Sequence, residues 1–374
     1  MLRFLVAFCL AAAGLYSQQP RPPEAKPAPL VLANDKLELT VGLTGGRFLR
    51  LLLREGEPLS PLATMGHFLA LDGFGTPSDE ERAAGMPGHG EANRSPAKVI
   101  ASNESGPVRS VTMQSWLPLA QETLTRTIEM VDGENVVYVT SELESALAID
   151  RPVSWAEHAT LGPPFLEPGK ITVDMPATRC RVRAEKAGST GKLAYLKDFD
   201  WPMAPLTKGG LVSLLSVPVG ETSLDLASCL IDPARTYGFV TAFRADRQLL
   251  FGYVFRRSEY PWLMSWMNYS GDARAARGIE FSTQPFDVSH RETVGAHEMF
   301  GAPTYKWLPA KSKIRTRFLF FFTRVPADFG DVGDVSFESG SVKIRDKSGK
   351  TVALPARLGL EQVSAALAGQ TPLR

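Results

Sequence analysis

Three short segments hold the residue types that acid–base chemistry uses. Residues 85–93 read GMPGHGEAN and set His89 in a Gly/Pro-rich turn. Residues 155–166 read WAEHATLGPPFL, with His158 three residues after Trp155 and shortly before the rigid pair Pro163 and Pro164. Residues 278–287 read GIEFSTQPFD and place Glu280 at the end of an expected strand, among apolar neighbours and ahead of a polar Ser-Thr-Gln turn. Burial there raises a carboxyl pKa and poises it as a base. A base and an acid on opposite sides of a pocket are what proton transfer on a hemiacetal requires. We therefore expect Glu280, His158 and His89 to be catalytic. The plainer readings are a solvent-facing strand glutamate and histidines hydrogen-bonded in loop walls.

A sugar ring packs its apolar side on aromatic side chains and offers its hydroxyls to amides, guanidinium groups and carboxylates. Trp155, Trp201, Trp262 and Trp266 are candidates for stacking, and for at least two of them a core position is the expectation. We place Trp155, Trp262, His67, Asn93, Arg94 and Gln284 at the substrate, with Arg47, Asp200 and Trp201 as further rim candidates. His290 and His297 read as ordinary surface or loop residues. No H-E-x-x-H, C-x-x-C or EF-hand pattern occurs, so no metal ligands are assigned. A Gly-rich phosphate loop and a Gly-x-Ser-x-Gly elbow are also lacking. Lys+Arg number 41 against 40 Asp+Glu, a balance that does not point to nucleic acid.

Strands must position these groups. Alternating or β-branched and aromatic runs cover 36–41, 122–130, 135–140, 237–243, 248–255 and 316–323, separated by turn signals such as Asp132-Gly133. In 122–130, Thr123, Thr125 and Thr127 share one face, and Leu124, Ile128 and Met130 the other. Helical signals are confined to 78–84 and 358–368. Many strands and few helices predict an all-β fold, a large antiparallel β-sandwich spanning 30–326. Residues 327–374 read as an extension made of a hairpin around 346–349 and a short helix. The connection 72–96, rich in Gly and Pro, is long enough to be functional, and it carries His89.

The chain opens like an export signal over 1–17: Arg3 precedes an apolar run, and Ala13 or Ser17 offers a cleavage site. A proline-rich spacer follows over 18–29 and is expected to stay unpacked. The implied location is periplasmic or extracellular, with no integral membrane domain once the signal is removed. An uncleaved anchor is the second reading. Cys180 and Cys229 are expected as two buried free thiols, with a disulfide as the alternative that an exported compartment allows.

His89-Gly90-Glu91-Ala92, Trp155-x-x-His158 with 162–165, and 278–287, taken in this order, resemble the motifs of the galactose mutarotase-like superfamily, the aldose 1-epimerases and their relatives. The likeness extends over about residues 30–325. It implies a supersandwich fold and a sugar or sugar derivative as ligand. It also implies cofactor-free interconversion of anomers, with Glu280 as base, His158 as acid, and His89 on the sugar hydroxyls or sharing the acid role. The sequence departs from the related sugar-phosphate epimerases after His-Gly, where Glu91, Ala92 and Asn93 precede Arg94. Two rivals stand beside this expectation: a carbohydrate-binding protein without catalysis, and a sandwich related to polysaccharide lyases or hydrolases. An envelope protein with no site ranks last.

Overall fold

The computed structural model describes residues 27–271 and 274–360. The expected export signal and most of the spacer lie outside these residues. Runs of β-branched and aromatic residues cannot bury both faces alone, so they pair into sheets and stack. Among the described residues, one sheet has 11 strands. From one edge it runs through Leu30–Ala33, Leu37–Gly42, Arg47–Leu53, Leu62–Leu71 and Trp155–Leu161. It continues through Ala276–Gly278, Trp262–Ser270, Thr222–Ile231 and Ala177–Val182 to Asp198–Asp200. The short strand Glu280–Ser282 pairs with both Trp155–Leu161 and Trp262–Ser270.

A second sheet of 8 strands packs against the first. It is built on Tyr237–Arg244, Leu249–Arg256, Lys313–Arg324, Val136–Ser145, Glu122–Val131 and Val108–Leu117, with Ile171–Asp174 and Lys98–Asn103 at its edges. Their facing sides form one core. Leu39, Phe48, Leu69, Leu263 and Phe281 meet Ile128, Val139, Phe251, Phe318 and Phe320 there. The strand pairings are antiparallel, and the all-β sandwich expected from the alternation is the fold observed.

The C-terminal part differs from its expectation. Instead of one hairpin, Val332–Glu338, Ser341–Asp346 and Thr351–Pro355 form a three-stranded sheet. It covers the outer side of the 8-stranded sheet: Val335, Val342, Ile344 and Leu354 bury against Val136, Tyr138, Leu250, Leu319 and Phe321. Ser341–Asp346 and Thr351–Pro355 are the expected hairpin around 346–349, and Val332–Glu338 joins it along the other side of Ser341–Asp346, its Val332 and Val335 extending the apolar face that the hairpin alone leaves open. Residues 357–360 form a turn, and the rest of the expected helix lies outside the described residues.

The cysteine expectation is corrected. Cys180 and Cys229 form a disulfide. They sit directly opposite each other on the adjacent strands Ala177–Val182 and Thr222–Ile231, a pairing that only the sheet register brings about.

Candidate active site

Trp155–Leu161 is buried along its whole length, so both of its faces are packed. Successive side chains point to opposite sides of a strand. Trp155, Ala159 and Leu161 belong to the sandwich core, whereas Ala156 packs with Phe68, Phe74 and Met264 on the opposite side of the sheet. His158 shares that second side and stacks on Phe68, with ring centroids 4.3 Å apart. Phe74 lies nearly parallel to it at 5.4 Å. Clamped between two aromatic rings, the imidazole has its orientation set before any ligand arrives.

Glu280 arrives beside it through register. Glu157 pairs with Phe281, and the next step along the two strands brings His158 and Glu280 together. Nε2 of His158 is 3.5 Å from Oε1 of Glu280. Gly278 makes room for this carboxylate, since a Cβ there would come within 2.2 Å of Oε1. Both Glu280 oxygens are buried and lack a hydrogen-bond partner. Burial first, and the Asp287 charge second, raise its pKa well above the carboxylate range. His158 moves the other way, well below the usual imidazole range, through burial and then the neighbouring His89. Burial thus favours the uncharged form of each group, a protonated carboxyl on Glu280 and a neutral imidazole on His158.

The connection 72–96 roofs the pair. It contains the helix Asp79–Ala83, capped by Ser78 in a reciprocal arrangement with Glu81. His89 has φ +63, and Gly90 bridges to Leu71 so closely that a Cβ on Gly90 would come within 1.7 Å of the Leu71 oxygen. This turn sets the His89 ring 5.4 Å from His158 and leaves its Nδ1 buried and unpaired. Glu91 anchors the turn by accepting hydrogen bonds from the backbone N–H groups of Leu119 and Ala120 at 3.0–3.2 Å. Arg47 holds the next stretch through the Asn93 side chain at 2.7 Å.

Together these elements enclose a cleft of about 620 Å³. His89, His158 and Glu280 all line it, and Trp266 is the tryptophan of the expected set that does so. Asp287, Lys186 and Arg82 supply charge at its wall. Asp287 is held by Lys186 at 2.7 Å and Arg183 at 3.2 Å, while its Oδ1 stays unpaired. Phe68, Phe74, Asp287 and Lys186 were not singled out in the sequence. Asp287 alone had a signal there, as the last residue of the 278–287 motif.

The expected binding residues lie elsewhere. Trp155 is fully buried in the core and donates its indole N–H to Glu157 at 3.2 Å. His67 is also in the core, between Glu157 at 2.8 Å and the Tyr253 hydroxyl at 3.0 Å. Arg126 completes this buried network by donating to Glu157 at 2.5 Å and to Ser141 at 3.0 Å. Paired charge holds Glu157 ionised, with a pKa near 2 despite burial, because Arg126 and His67 offset the desolvation. Trp262 is buried and donates to the Pro303 carbonyl, and Gln284 is buried and donates to the Phe286 carbonyl. Asn93 braces Arg47, and Arg94 is exposed outside the cleft. His290, read as ordinary, bonds Ser154 at 2.9 Å beneath the roofing connection. Of the rim candidates, Arg47 lies over the Phe68 ring, while Trp201 packs at the edge of the sandwich core.

No family profile and no curated protein matches the sequence. Solved structures do match the fold. Slr1438 protein from Synechocystis sp. PCC 6803 superposes with a TM-score of 0.58 at 13% identity, covering 80% of this chain and 97% of that one. A galactose mutarotase related enzyme from Lactobacillus acidophilus gives 0.56 at 10% identity, over 79% and 97%. A galactose mutarotase-like protein from Clostridium acetobutylicum gives 0.54 at 14% identity, over 79% and 95%. The fold is the galactose mutarotase-like sandwich.

Proposed function

We propose that this protein is an aldose 1-epimerase-like isomerase acting on the anomeric centre of a sugar. The observation that carries the reading is the His158–Glu280 pair, 3.5 Å apart on the floor of the cleft. The two oxygens of a hemiacetal sit on one carbon, so an acid and a base that line one cleft this closely can serve both, without standing on opposite sides of the pocket as expected from the sequence. Sugar hydroxyls entering the cleft offer Glu280 the hydrogen bonds it lacks and lower the cost of its ionisation. The proton then passes to His158, leaving a carboxylate beside an imidazolium.

In that state Glu280 takes the proton from the anomeric hydroxyl. His158 gives its proton to the ring oxygen, the bond from C1 to the ring oxygen breaks, and its electron pair stays on that oxygen. C1 becomes an aldehyde. Rotation about C1–C2 presents its other face, and the ring closes with the two roles reversed. Trp266 and Phe74 pack on the apolar side of the ring, while Asp287, Lys186 and His89 meet its hydroxyls. Each acid or base group of this kind contributes on the order of 10²–10⁴-fold.

The test is anomer exchange by polarimetry or NMR over free aldoses and aldose phosphates. Glu280→Gln and His158→Asn each slow exchange by roughly 10²-fold or more without lowering the melting temperature. Sugar binding without any acceleration by the wild-type protein would sink the isomerase reading and leave a binding protein. A loss of folding in both variants, with no activity in the parent, would make the two residues structural.

A further inference from the structure

A second hollow lies between the connection 72–96 and the edge of the 8-stranded sheet formed by Lys98–Asn103 and Val108–Leu117. It encloses about 710 Å³. Its floor is the strand pair Val108–Leu117 and Glu122–Val131, where Trp116 sits opposite Thr123 and Gln114 opposite Thr125. Trp116 is 49% exposed and Leu119 47% exposed. An indole half in water, framed by hydroxyl and amide side chains, offers a flat apolar face with hydrogen-bonding groups at its edge. Trp155 and Trp262, by contrast, are fully buried.

The charge around this indole is one-sided. Arg94 and Lys98 line the hollow and are exposed, and no carboxylate pairs with either among the described residues. The Glu91 carboxylate in the same wall is already occupied by the N–H groups of Leu119 and Ala120. Two free cations beside a stacking platform fit a ligand with a ring face and an anionic substituent.

We propose that this hollow binds an acidic saccharide, its ring stacked on Trp116 and its carboxylate or sulfate held by Arg94 and Lys98. Gln114 and Thr123 hydrogen-bond the hydroxyls. The hollow and the His158–Glu280 cleft share Pro87 in their walls, so its occupant rests against the same turn that carries His89. Binding here needs neither His158 nor Glu280 and stands apart from the isomerase reading.

Calorimetric titration of the full chain with trigalacturonate, sulfated dextran oligomers and uncharged maltotriose tests this. Trigalacturonate or the sulfated oligomer binds, and maltotriose binds roughly tenfold more weakly or not at all. Trp116→Ala weakens the acidic ligand roughly tenfold at unchanged melting temperature, and Trp116→Phe restores most of it. Arg94→Gln with Lys98→Gln weakens it further and flattens its salt dependence. Glu280→Gln leaves it intact. Binding confined to one acidic probe identifies the anionic group as carboxylate or sulfate. Equal binding of maltotriose, full binding by Trp116→Ala, or no binding of any probe overturns the proposal.

Discussion

At the scale of single residues, the proton shared by Glu280 and His158 dictates a pH response. The one-proton state forms as pH rises through the pair's lower pKa and is lost as pH rises through its upper one. Burial moves the lower limit below the usual imidazole value of 6.5 and the upper limit above the carboxylate value of 4.5. Activity should therefore follow a bell. Asp287→Asn removes a like charge that helps keep Glu280 protonated, so its alkaline limb should move to lower pH, read from kcat/KM against pH. A limb that stays in place would show that Asp287 does not act on Glu280. Stability carries the matching signature. A carboxyl whose pKa is raised on folding contributes stability below 4.5 that is lost as pH climbs toward the folded value. Glu280→Gln should hence gain on the wild type as pH rises above 4.5, in denaturation series run across pH.

At the scale of elements, the connection 72–96 is a roof fixed at few points. The Glu91 carboxylate is one of them, through charge-assisted hydrogen bonds to two backbone N–H groups. Glu91→Ala leaves those donors without their partner and frees the His89 turn, at a cost of about 1–3 kcal/mol. We expect KM for sugar to rise more than kcat falls, with exchange protection lost around 85–95 and kept in the strands. Equal loss of both kinetic terms would place His89 in the chemical step instead. The three motifs were legible in the sequence because each combined a titratable residue with rigid Gly/Pro or strand context, and they do meet in one cleft. The buried network of Arg126, Glu157 and His67 was not. In 122–130, Arg126 falls in the same alternate set as the inward Leu124, Ile128 and Met130, where a charge reads as an exception to the pattern rather than as half of an ion pair. Its partner Glu157 lies 31 positions away, and only the stacking of the two sheets brings them together. Trp155 looked like a sugar platform because the sequence shows alternation but not which face of a doubly buried strand is the core.

At the scale of the whole molecule, the C-terminal sheet is an integral cover of the sandwich. Val335, Val342, Ile344 and Leu354 seal an apolar face that the 8-stranded sheet would otherwise present to water. Ile344 is fully buried, and Ile344→Ala should cost about 2–5 kcal/mol. Thermal unfolding that stays a single transition in this variant would show that cover and sandwich unfold together. A separate early transition would mark the cover as an independent unit. The hairpin at 346–349 was readable from its turn residues, whereas the third strand depended on a face completed by residues that are remote in sequence.

Along Trp155–Leu161, neighbouring positions answer to different demands. Trp155, Glu157, Ala159 and Leu161 face the core or its buried ion network, and Ala156, His158 and Thr160 face the cleft side. In a saturation library of this strand, cellular abundance and catalytic turnover should therefore separate with a period of two. Substitutions at 157 and 159 should deplete the folded protein, while those at 158 should leave it abundant and silent. One inserted residue would exchange both readouts for every position beyond it.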